Sequence, residues 1–316
     1  MRTAWVLPGG STFGAIQSGL VTALIDGGVE PDLLVGTSVG SLNAAWLAGD
    51  PSTTGAARLR ELWTRLRRTD VFPIQPLRIL AGKMGLSNHV MTSHGLADWL
   101  NRTLPYRRLE HAAVPLTVTA TDVDNGDPVY FERGPALPAL VASCSIPGMF
   151  PPVQVAGRWL VDGGPAAFMP VSRAVERGAD RVFVLPCGGT EPFVVNRRKT
   201  RGIGAIATWP PPKSPPRSVG GVNGAALGAA MVSAARLDLQ LNAARCDLYV
   251  LPAPSVVGLS PYSFEHVGEL MDASFEIASR WLPEARPVPR GPVDIGGNPS
   301  GGNHFGVSTT AQEHRG

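Results

Sequence analysis

The chain has 316 residues, 44% of them hydrophobic and 17% charged, with a formal net charge of +3. This balance fits a globular α/β chain with a substantial core, excludes a disordered polyelectrolyte, and leaves no strongly basic footprint for nucleic acid. Cys144, Cys187 and Cys246 are too widely spaced for a disulfide framework or a metal knuckle; no run approaches the ~18 apolar residues that span a bilayer, and no charged-then-apolar leader precedes the first strand, so a cytoplasmic setting with at most peripheral membrane contact is expected.

Thr3 to Leu7 is a short apolar strand that runs into Pro8-Gly9-Gly10-Ser11-Thr12-Phe13-Gly14, followed by a helical pattern carrying Ile16, Leu20, Ala23 and Leu24 on one face. Gly27-Gly28 ends that helix. A glycine-rich strand-to-helix turn aims unpaired backbone N–H groups at one spot, where the helix dipole adds to their pull on negative charge. Leu33 to Val35 is the second strand, and Gly36-Thr37-Ser38-Val39-Gly40 follows it, with a helix expected from Ser41. A G-x-S-x-G turn between strand and helix is the setting that lifts a serine oxygen out of a strained elbow.

Arg58, Arg60, Arg65, Arg67 and Arg68 cluster around Trp63; they read as a solvated helix face, with contact to an anionic membrane as the alternative. Residues 71–95 mix Pro, Gly, Met and Leu without periodicity and read as a flap. Leu116 to Thr121 is a further strand, and Asp122, Asp124 and Asp127 around Asn125-Gly126 read as a hairpin turn. No closing glutamate follows at calcium-loop spacing, so no metal is expected there; nor is a cofactor expected for the chain. A helix precedes Pro147. Then Gly157-Arg158-Trp159-Leu160-Val161-Asp162-Gly163-Gly164-Pro165 puts an aspartate at the end of another short strand, with Gly163 and Gly164 leaving it uncrowded. Strands at Arg181 to Leu185 and Asp247 to Leu251 and a helix over His266 to Leu282 complete the pattern. Residues 190–221 read as a basic, Pro/Gly-rich surface loop and 286–316 as a disordered tail, leaving 1–285 as one catalytic domain. Alternating strands and helices predict an α/β fold, a central, mostly parallel sheet with helices on both faces.

These elements supply a nucleophile, a base and an anion hole. Ser38 attacks an ester carbonyl, Asp162 takes its proton, and the N–H groups of Gly10 and Ser11, with Val39, hold the oxyanion. Apolar flanks at Trp159 to Val161 and Phe168 would raise the affinity of Asp162 for a proton. His266 is the one histidine placed late enough to complete a Ser, Asp, His order; the dyad is the preferred reading.

The order of the glycine-rich loop (Gly9, Gly10, Ser11, Gly14), the elbow (Gly36, Ser38, Val39, Gly40) and Asp162-Gly163-Gly164 resembles the patatin-like phospholipase family. Gly14-Ala15-Ile16-Gln17-Ser18-Gly19, Ala120-Thr121-Asp122 and Ser145-Ile146-Pro147-Gly148-Met149-Phe150-Pro151-Pro152 extend the likeness over about residues 3 to 186, with a weaker echo at Ser263 to Leu270. The resemblance implies a three-layer α/β/α sandwich and a Ser-Asp dyad. Two places depart from it. The family's loop usually has glycine where Ser11 stands and a basic residue where Phe13 stands, and it often has asparagine where Phe168 stands; Phe13 and Phe168 are therefore taken as substrate-lining. The leading expectation is a serine acyl hydrolase acting on an acyl ester or lipid. An acyltransferase using the same acyl-serine, or a non-catalytic acyl-chain binder, are the alternatives.

Overall fold

The computed structural model describes residues 1–72, 84, 86–189 and 219–288. Of the segments singled out above, 73–83 and 85 of the flap, 190–218 of the basic loop and the tail beyond 288 lie outside them. The strands are β1 (Thr3–Leu7), β2 (Leu33–Thr37), β3 (Leu116–Asp122), β4 (Pro128–Phe131), β5 (Val153–Val155), β6 (Arg158–Asp162), β7 (Arg181–Val184) and β8 (Asp247–Val250). The helices are α1 (Gly14–Asp26), α2 (Val39–Gly49), α3 (Thr53–Arg65), α4 (Arg68–Val71), α5 (His94–Thr103), α6 (Ala136–Ser143), α7 (Gly164–Ala167), α8 (Val171–Glu176), α9 (Val219–Asn242) and α10 (Val267–Trp281).

β8, β7, β1, β2 and β3 run parallel, each pairing with the next. β4, β5 and β6 add antiparallel pairings, so the sheet is mixed, with a parallel centre. The centre is parallel because helices carry the chain back across a face between β1 and β2, between β2 and β3 and between β7 and β8, whereas the Asp122–Asp127 turn after β3 and the Ala156-Gly157 turn are too short for a crossover.

Side-chain alternation along the parallel strands feeds two cores. Trp5, Leu7 and Leu34 pack into the larger one with α1, α2, α3, α6 and α10. Ala4, Val6, Leu33, Val35, Val182, Val184 and Leu248 point the other way, against α8 and the Leu239 to Ala243 end of α9. Burial on both faces explains why β1 and β2 read as continuous apolar runs instead of alternating.

The α10 helix lies along α1, with Val267, Leu270, Met271 and Ala278 buried and the Ser274 hydroxyl donating to the carbonyl of Ile16. α1 ends at Gly27, and Gly28 takes φ 72°, the left-handed turn that glycine enters at no steric cost. α2 starts at Val39, two residues before the expected Ser41, because the elbow leads straight into the helix.

β3 sets the geometry of the site. β4 pairs with Val118 to Thr121, overlapping in register both β2, which pairs with Leu116 to Thr119, and β6, which pairs with Ala120 to Asp122. A strand has two edges, so β2 and β6 share the one that β4 leaves. Thr37 is opposite Thr119 and Asp162 opposite Ala120. The end of β2 and the end of β6 therefore meet head to head, and the residue after Thr37 is Ser38.

Candidate active site

Ser38 sits between β2 and α2 at φ 54° and ψ −129°, a sparsely populated conformation for a residue with a side chain. Its surroundings hold it there. Its N–H donates to Ser143 Oγ at 2.9 Å, and its carbonyl accepts the Ser41 hydroxyl at 2.6 Å and the Ser41 N–H at 2.8 Å. Close approach also dictates the elbow glycines: a Cβ at Gly40 would fall 1.9 Å from the carbonyl oxygen of Leu7.

Ser38 Oγ donates to Asp162 Oδ2 at 2.5 Å, and the N–H of Gly164 donates to Oδ1 at 2.8 Å. Asp162 is buried, and burial pushes its carboxyl up to about 6, against the opposing pull of the Ser38 and Gly164 hydrogen bonds. Of the apolar flanks read from the sequence, Leu160 is buried but Trp159 is 48% exposed; the groups that meet the carboxylate are the Ser38 hydroxyl and the Gly164 N–H at the start of α7, with the Cys144 thiol nearby. Behind α7, a Cβ on Gly164 would lie 2.4 Å from Met231 Cε of α9.

The glycine-rich loop passes directly over the serine: a Cβ on Gly9 would be 3.2 Å from Ser38 Cβ and 3.3 Å from Phe168 Cε2. The N–H groups of Gly9, Gly10, Ser11 and Val39 donate to no protein acceptor among the described residues. Thr12 differs, since its N–H donates to the carbonyl of Pro261. Phe168 thus stands beside the loop. Phe13 does not line the site; it is 6% exposed and packs in the larger core, because the short helical turn at Ser11–Phe13 rotates it inward.

A narrow cleft opens from Ser38, lined by Leu42, Trp46, Phe72, Trp99, Phe150 and Phe264 among others, and its wall is almost wholly apolar. Trp46 and Trp99 meet edge to face in it, with centroids 4.6 Å apart. Cys144 also lines the cleft. Burial pushes its thiol well above the ordinary range and the neighbouring Asp162 adds to the shift, so it is a poor nucleophile.

Sequence reasoning missed the polar scaffold beneath the loop. Gln17 Nε2 donates to the carbonyls of Pro8 (2.9 Å) and Leu185 (3.0 Å), Asn43 Nδ2 to the Gly14 carbonyl (2.9 Å) and to Gln17 Oε1 (2.8 Å), and Trp63 Nε1 to Asn43 Oδ1 (2.9 Å). This network ties the loop, α1, α2 and α3 together in the buried interior, where an amide without partners would be costly. The available signal was Gln17 and Asn43 standing among apolar neighbours. Trp63 is accordingly buried. Three of the arginines around it reach surface carboxylates, Arg58 pairing with Asp50, Arg60 with Asp272 and Arg65 with Glu61, while Arg68 is partly buried.

Two other candidates lie apart from the serine. Asp122 to Asp127 form the hairpin turn, with Gly126 at φ 79° and Asp122 Oδ1 accepting the Asp124 N–H. His266 caps α10 with Nδ1 3.5 Å from Glu269 Oε2, while Ser38 meets Asp162 with no group between them.

A profile of the patatin-like phospholipase family matches residues 5–175. The chain belongs to that family. The matched span includes the elbow, the glycine-rich loop and the Asp-Gly-Gly turn of this patatin-like protein. An uncharacterised NTE-family protein of Mycobacterium tuberculosis is 28% identical over 194 residues, covering 60% of this chain and 50% of the relative. Lysophospholipase NTE1 of Lodderomyces elongisporus is 25% identical over 186 residues, covering 59% of this chain and 12% of that protein. The chain thus spans half the length of the mycobacterial relative and a small part of the fungal one. Among solved structures, VipD from Legionella pneumophila aligns with a TM-score of 0.49 at 14% identity, over 90% of this chain and 67% of that one. In the described residues, no helix is long and apolar enough to cross a membrane.

Proposed function

We propose that this patatin-like protein is a serine lipid acyl hydrolase in which Ser38 is the nucleophile and Asp162 the base. One observation carries the reading: the Ser38 hydroxyl, on a strained elbow at the end of an apolar cleft, donates directly to a buried carboxylate at 2.5 Å. The family supports a lipid ester as substrate, and the lysophospholipase title of the fungal relatives suggests a single-chain phospholipid as the first to try.

In this reading the acyl chain lies along the cleft with its ester carbonyl at Ser38. Ser38 Oγ bonds to the carbonyl carbon as its proton passes to Asp162, and the oxyanion is held by the N–H groups of Gly10, Ser11 and Val39. The carbon–oxygen bond to the leaving alcohol then breaks, and Asp162 returns the proton to that alcohol. Water attacks the acyl-serine in the second half, giving its proton to Asp162; the bond from the acyl carbon to Ser38 Oγ then breaks as Asp162 returns that proton to Oγ, releasing the free acid. A carboxyl near 6 suits both duties, because it is ionised at neutral pH yet basic enough to take a proton in the transition state.

The test is fluorophosphonate labelling and hydrolysis of p-nitrophenyl esters and lysophosphatidylcholine by wild type, Ser38→Ala and Asp162→Asn. Wild type should label and turn over, with each variant reduced by several orders of magnitude, since members of one catalytic unit fail together. Labelling that persists in Ser38→Ala sinks the assignment.

A further inference from the structure

Ser11 carries a side chain at φ 54°, where glycine and asparagine are the usual occupants, at the place where the family usually has glycine. Glycine would adopt this conformation free of strain, so what serine adds is its hydroxyl. That hydroxyl donates to the carbonyl of Pro261 at 2.7 Å, and the next N–H, of Thr12, donates to the same carbonyl at 3.2 Å. Both bonds reach across 250 positions of sequence or nearly so.

The segment they hold is part of the cleft. Phe264, three residues after Pro261, lines it together with Ser11, Ser38 and Phe72. Tyr262 meets Phe72 edge to face with centroids 5.4 Å apart, and Phe264 lies 6.5 Å from the same ring. Ser11 therefore bridges two parts that act at different moments: the loop whose N–H groups face the reacting carbonyl, and the aromatic wall along which an acyl chain lies. On the loop's other side Gly10 packs against Cys187, where an added Cβ would fall 2.2 Å from Cys187 Cβ.

We propose that the Ser11 side chain is a positioning residue that fixes the oxyanion-binding N–H groups by fastening them to the Pro261–Phe264 segment of the cleft. The proposal rests on the Ser38 reading given above. The Ser11 hydroxyl touches no reacting atom. It acts through the orientation of the Gly10 and Ser11 N–H groups, for which a displacement on the order of 1 Å costs about 100-fold in rate.

The experiment compares wild type, Ser11→Gly, Ser11→Asn and Ser38→Ala on p-nitrophenyl acetate and octanoate, with rates expressed per fluorophosphonate-titratable serine. Ser11→Gly relieves the φ strain and removes the hydroxyl, so it should fold while losing about 10- to 100-fold in kcat per titrated site, with KM for the acetate ester within about threefold. Ser11→Asn tolerates the same φ and brings an amide donor, so it should regain much of that loss. A Ser11→Gly enzyme whose kcat per titrated site matches wild type on both esters overturns the proposal, even if fewer sites titrate, because that is what a merely structural serine would give. Failure of Ser11→Asn to improve on Ser11→Gly also counts against it. Activity surviving in Ser38→Ala would instead overturn the nucleophile assignment, an outcome the Ser11 variants cannot imitate.

Discussion

Ser143 Oγ accepts the backbone N–H of Ser38 at 2.9 Å, so the proposed nucleophile is held through its main chain as well as through its hydroxyl. Both groups are buried. Ser143→Ala leaves that N–H without an acceptor, which typically costs about 1–3 kcal/mol and loosens an elbow already at positive φ. The variant should unfold at lower urea concentration and lose about tenfold in kcat; an unchanged kcat would show that the elbow holds itself.

Asp162 gives the site its expected pH dependence. Its carboxyl titrates near 6, and only the ionised form can take the Ser38 proton, so kcat/KM should rise with pH through about 6 and then level. A pH profile on a neutral p-nitrophenyl ester checks this. A rise centred near 4 would mean that the base is a carboxylate less buried than Asp162.

The same group makes a stability prediction of definite sign. Its folded pKa, about 6, lies above the ordinary value of 3.8, so the folded state holds the proton more tightly than the unfolded chain does. Below 3.8 both states are protonated and the group costs nothing; as pH rises through 6 the penalty of a buried charge becomes complete. Asp162→Asn should therefore be more stable than wild type at pH 8, by up to about 3 kcal/mol, with the difference closing towards pH 4. Denaturation curves at both pH values decide it, and a variant that loses stability at pH 8 contradicts it.

Leu42 and Phe13 occupy opposite situations, one on the cleft wall and the other in the core. Leu42→Trp should fill the cleft, lowering kcat/KM for octanoate and longer esters by tenfold or more, roughly, while sparing acetate. Phe13→Arg would place an unpaired cation among apolar neighbours and should yield little folded protein, without altering head-group choice. Equal losses on short and long esters in Leu42→Trp would place the acyl chain elsewhere.

Gly40 is the most restrictive glycine of the elbow. Gly40→Ala drives a methyl into the carbonyl of Leu7, 1.9 Å away, and backbone cannot yield as a side-chain tip would. The variant should fail to label with fluorophosphonate even where circular dichroism shows retained secondary structure.

The chain of residues carries its own strands and helices plainly, because strand period, glycine punctuation and helical periodicity are local properties. The G-x-S-x-G elbow, the glycine-rich loop and Asp162 were legible for the same reason: each needs residues without side chains at fixed short spacing. What joins them is not local. Ser38 and Asp162 are 124 positions apart, and they meet because β2 and β6 share one edge of β3, a fact of pairing register that no short segment encodes. Burial followed the same rule. Trp159 reads as apolar cover and is exposed, Phe13 reads as substrate-lining and is core, and Gln17 and Asn43, to which the sequence assigned no role, hold the loop from beneath. Side-chain type states what a position can do in water or in a core; the tertiary structure decides which of those environments it meets. Ser11 lies across that boundary, since its place in the loop was set by sequence and its partner, Pro261, only by the fold.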